Sequence, residues 1–113
     1  MIGFIPTFEK AKKTVNVNAA TYTVQTTDEI VMVSYPATGA CAITIPAAST
    51  FWDSVNSTSM LFVIQDISGN ASTHNITIQG TGGETINGSA SYVLNTNYEA
   101  IEIYTNGTNL FAK

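Results

Sequence analysis

Apolar residues recur at every second position through most of this chain. That period of two is the side-chain repeat of a β-strand, not of a helix. Val, Ile, Tyr and Thr supply most of the alternation, and these β-branched and aromatic types favour a pleated, half-buried surface. Residues 14–17, 22–24, 75–79, 92–94 and 100–104 each alternate polar with apolar. Residues 41–46 do the same and place Cys41, Ile43 and Ile45 on one face. Residues 29–35 form a longer run that could be buried on both faces, and residues 60–66, the most apolar stretch, read as a central strand. Turn chemistry separates these runs: Pro36 with Gly39, Gly69 with Asn70, and the glycines of 80–83. Asn106-Gly107 predicts a two-residue hairpin joining 101–104 to 110–112. Only residues 47–54 have helical character, and they suffice for a turn or two. The pattern predicts an all-β fold of about eight to ten short strands, a compact antiparallel β-sandwich or small jelly-roll-like barrel. No repeat of about 20–50 residues is visible, which disfavours a solenoid or propeller.

Composition narrows the function classes. The chain has 113 residues, enough for one domain with its own core. Hydrophobic residues are 44% and charged residues 11%, opposite to the balance of a disordered chain. There is no arginine and the net charge is −4, which argues against a reader of nucleic acid. One Cys and one His exclude a disulfide framework and a Cys/His zinc site within one chain. No stretch reads as a signal peptide or a transmembrane helix, so folding in a cytoplasm without membrane attachment is expected.

The charge is divided unevenly. Residues 1–13 sum to +2 through Lys10, Lys12 and Lys13 against Glu9, whereas residues 14–113 sum to −6. A basic arm bearing Ile2, Phe4, Ile5 and Phe8 therefore precedes one acidic β domain. Burying each of those four side chains would contribute roughly 1.5–3 kcal/mol. Ordering the arm's backbone costs roughly 1–2 kcal/mol per residue, so a docked arm also needs backbone hydrogen bonds, such as those of an added strand. Fully extended, it reaches about 45 Å, enough to cross onto a neighbouring subunit.

Candidate chemistry is sparse. His74 precedes a strand and has no local carboxylate and nucleophile to form a catalytic set. Cys41 reads as a core thiol without a nearby cation to activate it. Asp66-Ile-Ser-Gly-Asn70 spaces oxygen ligands like a calcium loop, but the closing acid is missing, leaving an Asp- and Gly-stabilised turn. The Gly80-Thr-Gly-Gly83 run lacks the lysine and helix of a phosphate loop. Trp52, Tyr92, Tyr98 and Tyr104 are candidates for a glycan-stacking face or for a protomer interface. No catalytic residue, metal site or cofactor is expected.

From Asp28 to Phe111 the chain resembles a β-rich module of tailed-bacteriophage virion proteins, found in tail fibres, head fibres and capsid decoration proteins. The carrying segments are Asp28-Glu-Ile-Val-Met-Val, Ala42-Ile-Thr-Ile-Pro-Ala, Phe62-Val-Ile-Gln-Asp-Ile-Ser-Gly-Asn-Ala-Ser, Asn75-Ile-Thr-Ile, Glu84-Thr-Ile-Asn-Gly, and the run from Tyr98 to Phe111. The resemblance implies a compact β module without catalysis, often a homotrimer. With no heptads and no collagen-like repeat, the chain suits a capsid decoration or cement protein, or a short head fibre, on the capsid exterior. Its expected partner is the major capsid protein, met through Ile2, Phe4, Ile5, Phe8, Lys10, Lys12 and Lys13. The alternative is a fibre module that binds host surface glycans.

Overall fold

Alternation along the chain becomes two sheets closed over one apolar core. A computed structural model of the protein describes residues 11–113. In chain order the strands are β1 (Thr14–Val17), β2 (Thr21–Thr23), β3 (Ile30–Val33), β4 (Cys41–Thr44), β5 (Trp52–Asp53), β6 (Thr58–Ser59), β7 (Phe62–Asp66), β8 (Ile76–Gln79), β9 (Ser91–Leu94), β10 (Ala100–Thr105) and β11 (Leu110–Ala112). Short 3-10 turns at Tyr35–Ala37 and Ala48–Phe51 are the helical elements of the described residues. The second of these is all that the helical character of 47–54 produces.

The larger sheet has the order β1-β3-β7-β10-β11 and the smaller one β2-β4-β8-β9, with β5 and β6 paired apart. β7 lies at the centre of the larger sheet, where the apolar run 60–66 predicts it. Every second residue points inward. Val31 and Val33 of β3, Ile64 of β7 and Ile103 of β10 meet Ile43 of β4, Ile76 and Ile78 of β8 and Leu94 of β9, all at 0% exposure. Cys41, Ile43 and Ile45 share the buried face as expected. β3 is fully buried on one face only: Ile30 and Met32, on its other face, are half-buried.

The all-β, two-sheet architecture follows the sequence, but its pairing is mixed instead of antiparallel. β1 with β3, β3 with β7, β2 with β4, and β4 with β8 are parallel. β7 with β10, β10 with β11, β8 with β9, and β5 with β6 are antiparallel. Parallel neighbours need a crossover, and here the crossover from each strand of one sheet is a strand of the other. The chain winds β1-β2-β3-β4 and then β7-β8 as a short coil. This coil escapes a repeat search because its turns differ in length. Val15 pairs with Val31, 16 residues on, whereas Val31 pairs with Ile64, 33 residues on, because the β5–β6 hairpin is inserted between.

The Asn106-Gly107 turn also differs from expectation. The last ladder pair is Thr105 with Leu110, so four residues, 106–109, make the connection. Asn106 Oδ1 accepts the N–H groups of Thr108 (3.0 Å) and Asn109 (2.9 Å). Thr105 Oγ1 accepts from Gly107 N–H (2.9 Å) and donates to Asn109 O (2.7 Å). These side chains stabilise a longer loop than a two-residue turn would need, with Gly107 at φ +94°.

Past β11, the sheet edge is covered by Asn87. Its side chain accepts from Ala112 N–H (3.0 Å) and donates to Ala112 O (2.9 Å), in the manner of an added strand. Its backbone N–H donates to Leu110 O at 3.0 Å.

Candidate functional site

The root of the basic arm is held to the body by charge. Lys13 N–H donates to Glu29 Oε1 at 3.0 Å. Lys12 Nζ lies 3.6 Å from Glu29 Oε2, and Lys13 Nζ lies 3.9 Å from Asp28 Oδ1. The two ammonium groups are more than half exposed, so each pair is worth at most about 1 kcal/mol. Direction matters more than strength here: the pairs, with Lys13 O accepting from Ile30 N–H at 3.0 Å, set where the chain enters β1. Lys12 and Lys13, expected as docking residues, thus have partners on their own chain. Ile2, Phe4, Ile5, Phe8 and Lys10 lie outside the described residues.

Beside this root is a groove of about 500 Å³, lined by Lys12, Lys13, Thr26, Thr27, Asp28, Glu29, Met60 and Leu61. One wall is charged. The other is apolar, with Met60 46% and Leu61 51% exposed. Asp28 is held in place from behind: its Oδ2 accepts from Tyr22 Oη (2.5 Å) and from Gln25 N–H (2.9 Å). Burial raises the Tyr22 phenol to about 12, aided by the hydrogen bond to Asp28 and by that carboxylate's charge. The groove offers opposite charges and an apolar wall, which are the elements of a peptide-binding surface. Sequence reasoning missed Met60 and Leu61 as surface residues, because the whole run 60–66 reads as core. Alternation with Phe62 and Ile64 separates Leu61 alone; Met60 shares their parity and is exposed because it lies ahead of β7.

The structure places Tyr92 and Tyr98 apart from Trp52 and Tyr104. Trp52 is half-buried and packs on the β10–β11 loop, where a Cβ on Gly107 would come within 2.8 Å of its ring. Tyr92 points inward beside Ile78 and packs on the core. Tyr98 is 63% exposed, with φ +65°, and its ring covers Gly69. Tyr104 lies on the outer face of β10, stacked on Phe111 with centroids 5.5 Å apart. Tyr92 is thus half-buried against the core.

The remaining polar candidates serve the fold. Asp66 is fully buried and accepts four hydrogen bonds, from Ser68 N–H (2.9 Å), Ser68 Oγ (2.5 Å), Ala71 N–H (3.0 Å) and Tyr98 N–H (3.1 Å). Burial pushes its carboxyl upward, but the hydrogen bonds together outweigh burial and hold it below the usual carboxylate range. The alternating oxygens of 66–70 thus close a turn with the protein's own donors. His74 Nδ1 lies 2.7 Å from the Pro36 carbonyl, which can only accept, so this nitrogen carries the proton. Cys41 is buried, its Sγ 3.2 Å from Ala19 O, and burial raises the thiol to about 11. Among the described residues no three His, Cys, Asp or Glu side chains gather as metal ligands, and no helix is long and apolar enough to cross a membrane. Compared with protein-family models and with curated proteins, the chain matches none.

Proposed function

We propose that this chain is a non-enzymatic virion structural protein of a tailed bacteriophage, a capsid decoration or cement protein that docks on the major capsid protein through its N-terminal arm. The observation that carries this reading is the arm's root. Lys12 and Lys13 are tied to Glu29 and Asp28, which fixes the entry into β1 beside the groove. The resemblance between Asp28 and Phe111 supplies the virion context. In a homotrimer, three such arms would bind adjacent capsid subunits, and weak contacts would combine as avidity. Bound protein would then stabilise the assembled shell by mass action. Binding of host glycans is the weaker reading, because Tyr92 packs against the core and Tyr98 covers Gly69, at the other end of β10 from Trp52 on Gly107.

The test is co-sedimentation with capsids that lack the protein. Removing residues 1–10 leaves the paired lysines and β1 in place, so the domain should fold with an unchanged circular dichroism spectrum. Capsid binding should fall at least about tenfold, the equivalent of 1.4 kcal/mol. Undiminished binding by the shortened chain would refute the arm as the docking element.

A further inference from the structure

Two asparagines of this chain precede glycine, Asn87 and Asn106. In such a pair the glycine amide nitrogen can attack the asparagine side chain, because glycine leaves that nitrogen unhindered and the backbone free to turn. The fold holds the two pairs differently. Asn87-Gly88 is a two-residue hairpin turn: Ile86 and Ser89 exchange backbone hydrogen bonds of 2.7 and 2.9 Å, with φ +52° at Asn87 and +84° at Gly88. The Asn87 carboxamide is bound at both ends to Ala112, through Oδ1 (3.0 Å) and through Nδ2 (2.9 Å). To reach the Gly88 nitrogen it must leave the sheet edge and break both bonds.

At Asn106 the contacts favour the reaction. Oδ1 accepts from two backbone N–H groups, Thr108 at 3.0 Å and Asn109 at 2.9 Å. Attack on Cγ places negative charge on that oxygen, and paired N–H donors at this range stabilise such a charge as it develops. Gly107 N–H donates to Thr105 Oγ1 (2.9 Å), and that hydroxyl gives its own proton to Asn109 O (2.7 Å). A hydroxyl committed in this way is the stronger acceptor, so the proton that the Gly107 nitrogen must lose has a partner in place.

We infer that Asn106 is a self-modification site, which the folded loop converts to aspartyl and isoaspartyl forms. The Gly107 nitrogen gives up its proton and bonds to Asn106 Cγ. The Cγ–Nδ2 bond breaks, Nδ2 takes up a proton and leaves as ammonia, and a cyclic succinimide remains. Water then opens the ring. Breaking the bond from Cγ to the Gly107 nitrogen yields aspartate. Breaking the bond from the Asn106 backbone carbonyl carbon to that nitrogen yields isoaspartate, whose main chain runs through the side-chain carbons and is longer. The net change is water taken up and ammonia released, with no oxidation or reduction. The loop accepts the product: a carboxylate at 106 still receives from Thr108 and Asn109, whereas at 87 its second oxygen would face the Ala112 carbonyl. The longer isoaspartyl link displaces Gly107 against the Trp52 ring, which a Cβ there would already approach within 2.8 Å. The inference concerns the β10–β11 loop and is independent of what the protein docks on.

The experiment ages the full chain in neutral buffer, folded and in denaturant. Each Asn-Gly pair is followed by peptide mass spectrometry, in which conversion adds about 1 Da. In denaturant the two pairs should react at similar rates. In the folded chain Asn106 should react at least about tenfold faster than Asn87, and no slower than it does in denaturant. Trp52 fluorescence should shift over the same time course. Asn106→Ser, whose hydroxyl can still accept within the loop, should abolish both the mass change at 106 and the fluorescence shift. Equal folded rates at the two pairs would overturn the inference, as would an Asn106 that reacts more slowly folded than unfolded. A fluorescence shift that persists in Asn106→Ser would refute the coupling to Trp52.

Discussion

Replacing Asp66 with asparagine separates the work of its charge from that of its shape. The side chain keeps its size and one oxygen, which can still accept from Ser68 N–H and Ser68 Oγ. The new NH₂ group would then stand where Oδ2 accepts from Ala71 N–H and Tyr98 N–H. Two buried donors would face a donor, and each unsatisfied group costs about 1–3 kcal/mol. The Tyr98 bond has a further role, since this residue holds a left-handed φ of +65°, uncommon for a bulky side chain. A loss of about 3 kcal/mol is expected from a total that is ordinarily about 5–15 kcal/mol. With a urea slope near 1.5 kcal/mol/M, the unfolding midpoint should fall by about 2 M at pH 7. The carboxyl is held below its usual range in the folded state, so its contribution is complete above the unfolded value of about 3.9. It is lost as pH falls through the lower, folded value. The asparagine variant has no such loss, so the two stabilities should converge in acid. A deficit under about 1 kcal/mol at pH 7, or a deficit that stays constant into acid, would refute this account of the turn.

Two further substitutions test local geometry. Gly107→Ala should destabilise by about 1–3 kcal/mol, because it places a Cβ at φ +94° and within 2.8 Å of Trp52. Chemical denaturation followed by Trp52 fluorescence would show both the lower midpoint and an altered native spectrum. Tyr22→Phe removes the hydroxyl that Asp28 accepts at 2.5 Å and should cost about 1–3 kcal/mol. The folded Tyr22 phenol sits near 12, above the ordinary value of about 10, so its contribution is whole below pH 10 and declines as pH rises towards 12. Denaturation midpoints of the two proteins should therefore approach each other in alkali. A constant gap from pH 7 to pH 11 would show that the hydroxyl's ionisation is not involved.

The strands were legible because burial on one face enforces alternation. β1 occupies the residues 14–17 that alternate, and Cys41, Ile43 and Ile45 all enter the core. Pairing was not legible, because parallel and antiparallel strands share the same side-chain period. Nothing local to Val31 states that its ladder neighbours are Val15 on one side and Ile64 on the other. The Asp66 turn could be read because its partners Ser68 and Ala71 are close in sequence, but Tyr98, 32 residues away, could not be named. Lys12 and Lys13 were visible as part of a basic cluster. Their pairing with Glu29 and Asp28 depends on β1 lying beside β3, which is a tertiary fact.

The winding of the chain between the two sheets has a kinetic consequence. Ladder partners Val15 and Val31, Ile64 and Ile101, and Ile43 and Ile78 are separated by 16, 37 and 35 residues. Neither sheet can be completed before most of the other has been laid down, since each supplies the other's connections. High contact order of this kind places folding in the slow range, about milliseconds to seconds. It also leaves no layer that can peel away intact, so both sheets should lose their amide protection in one transition.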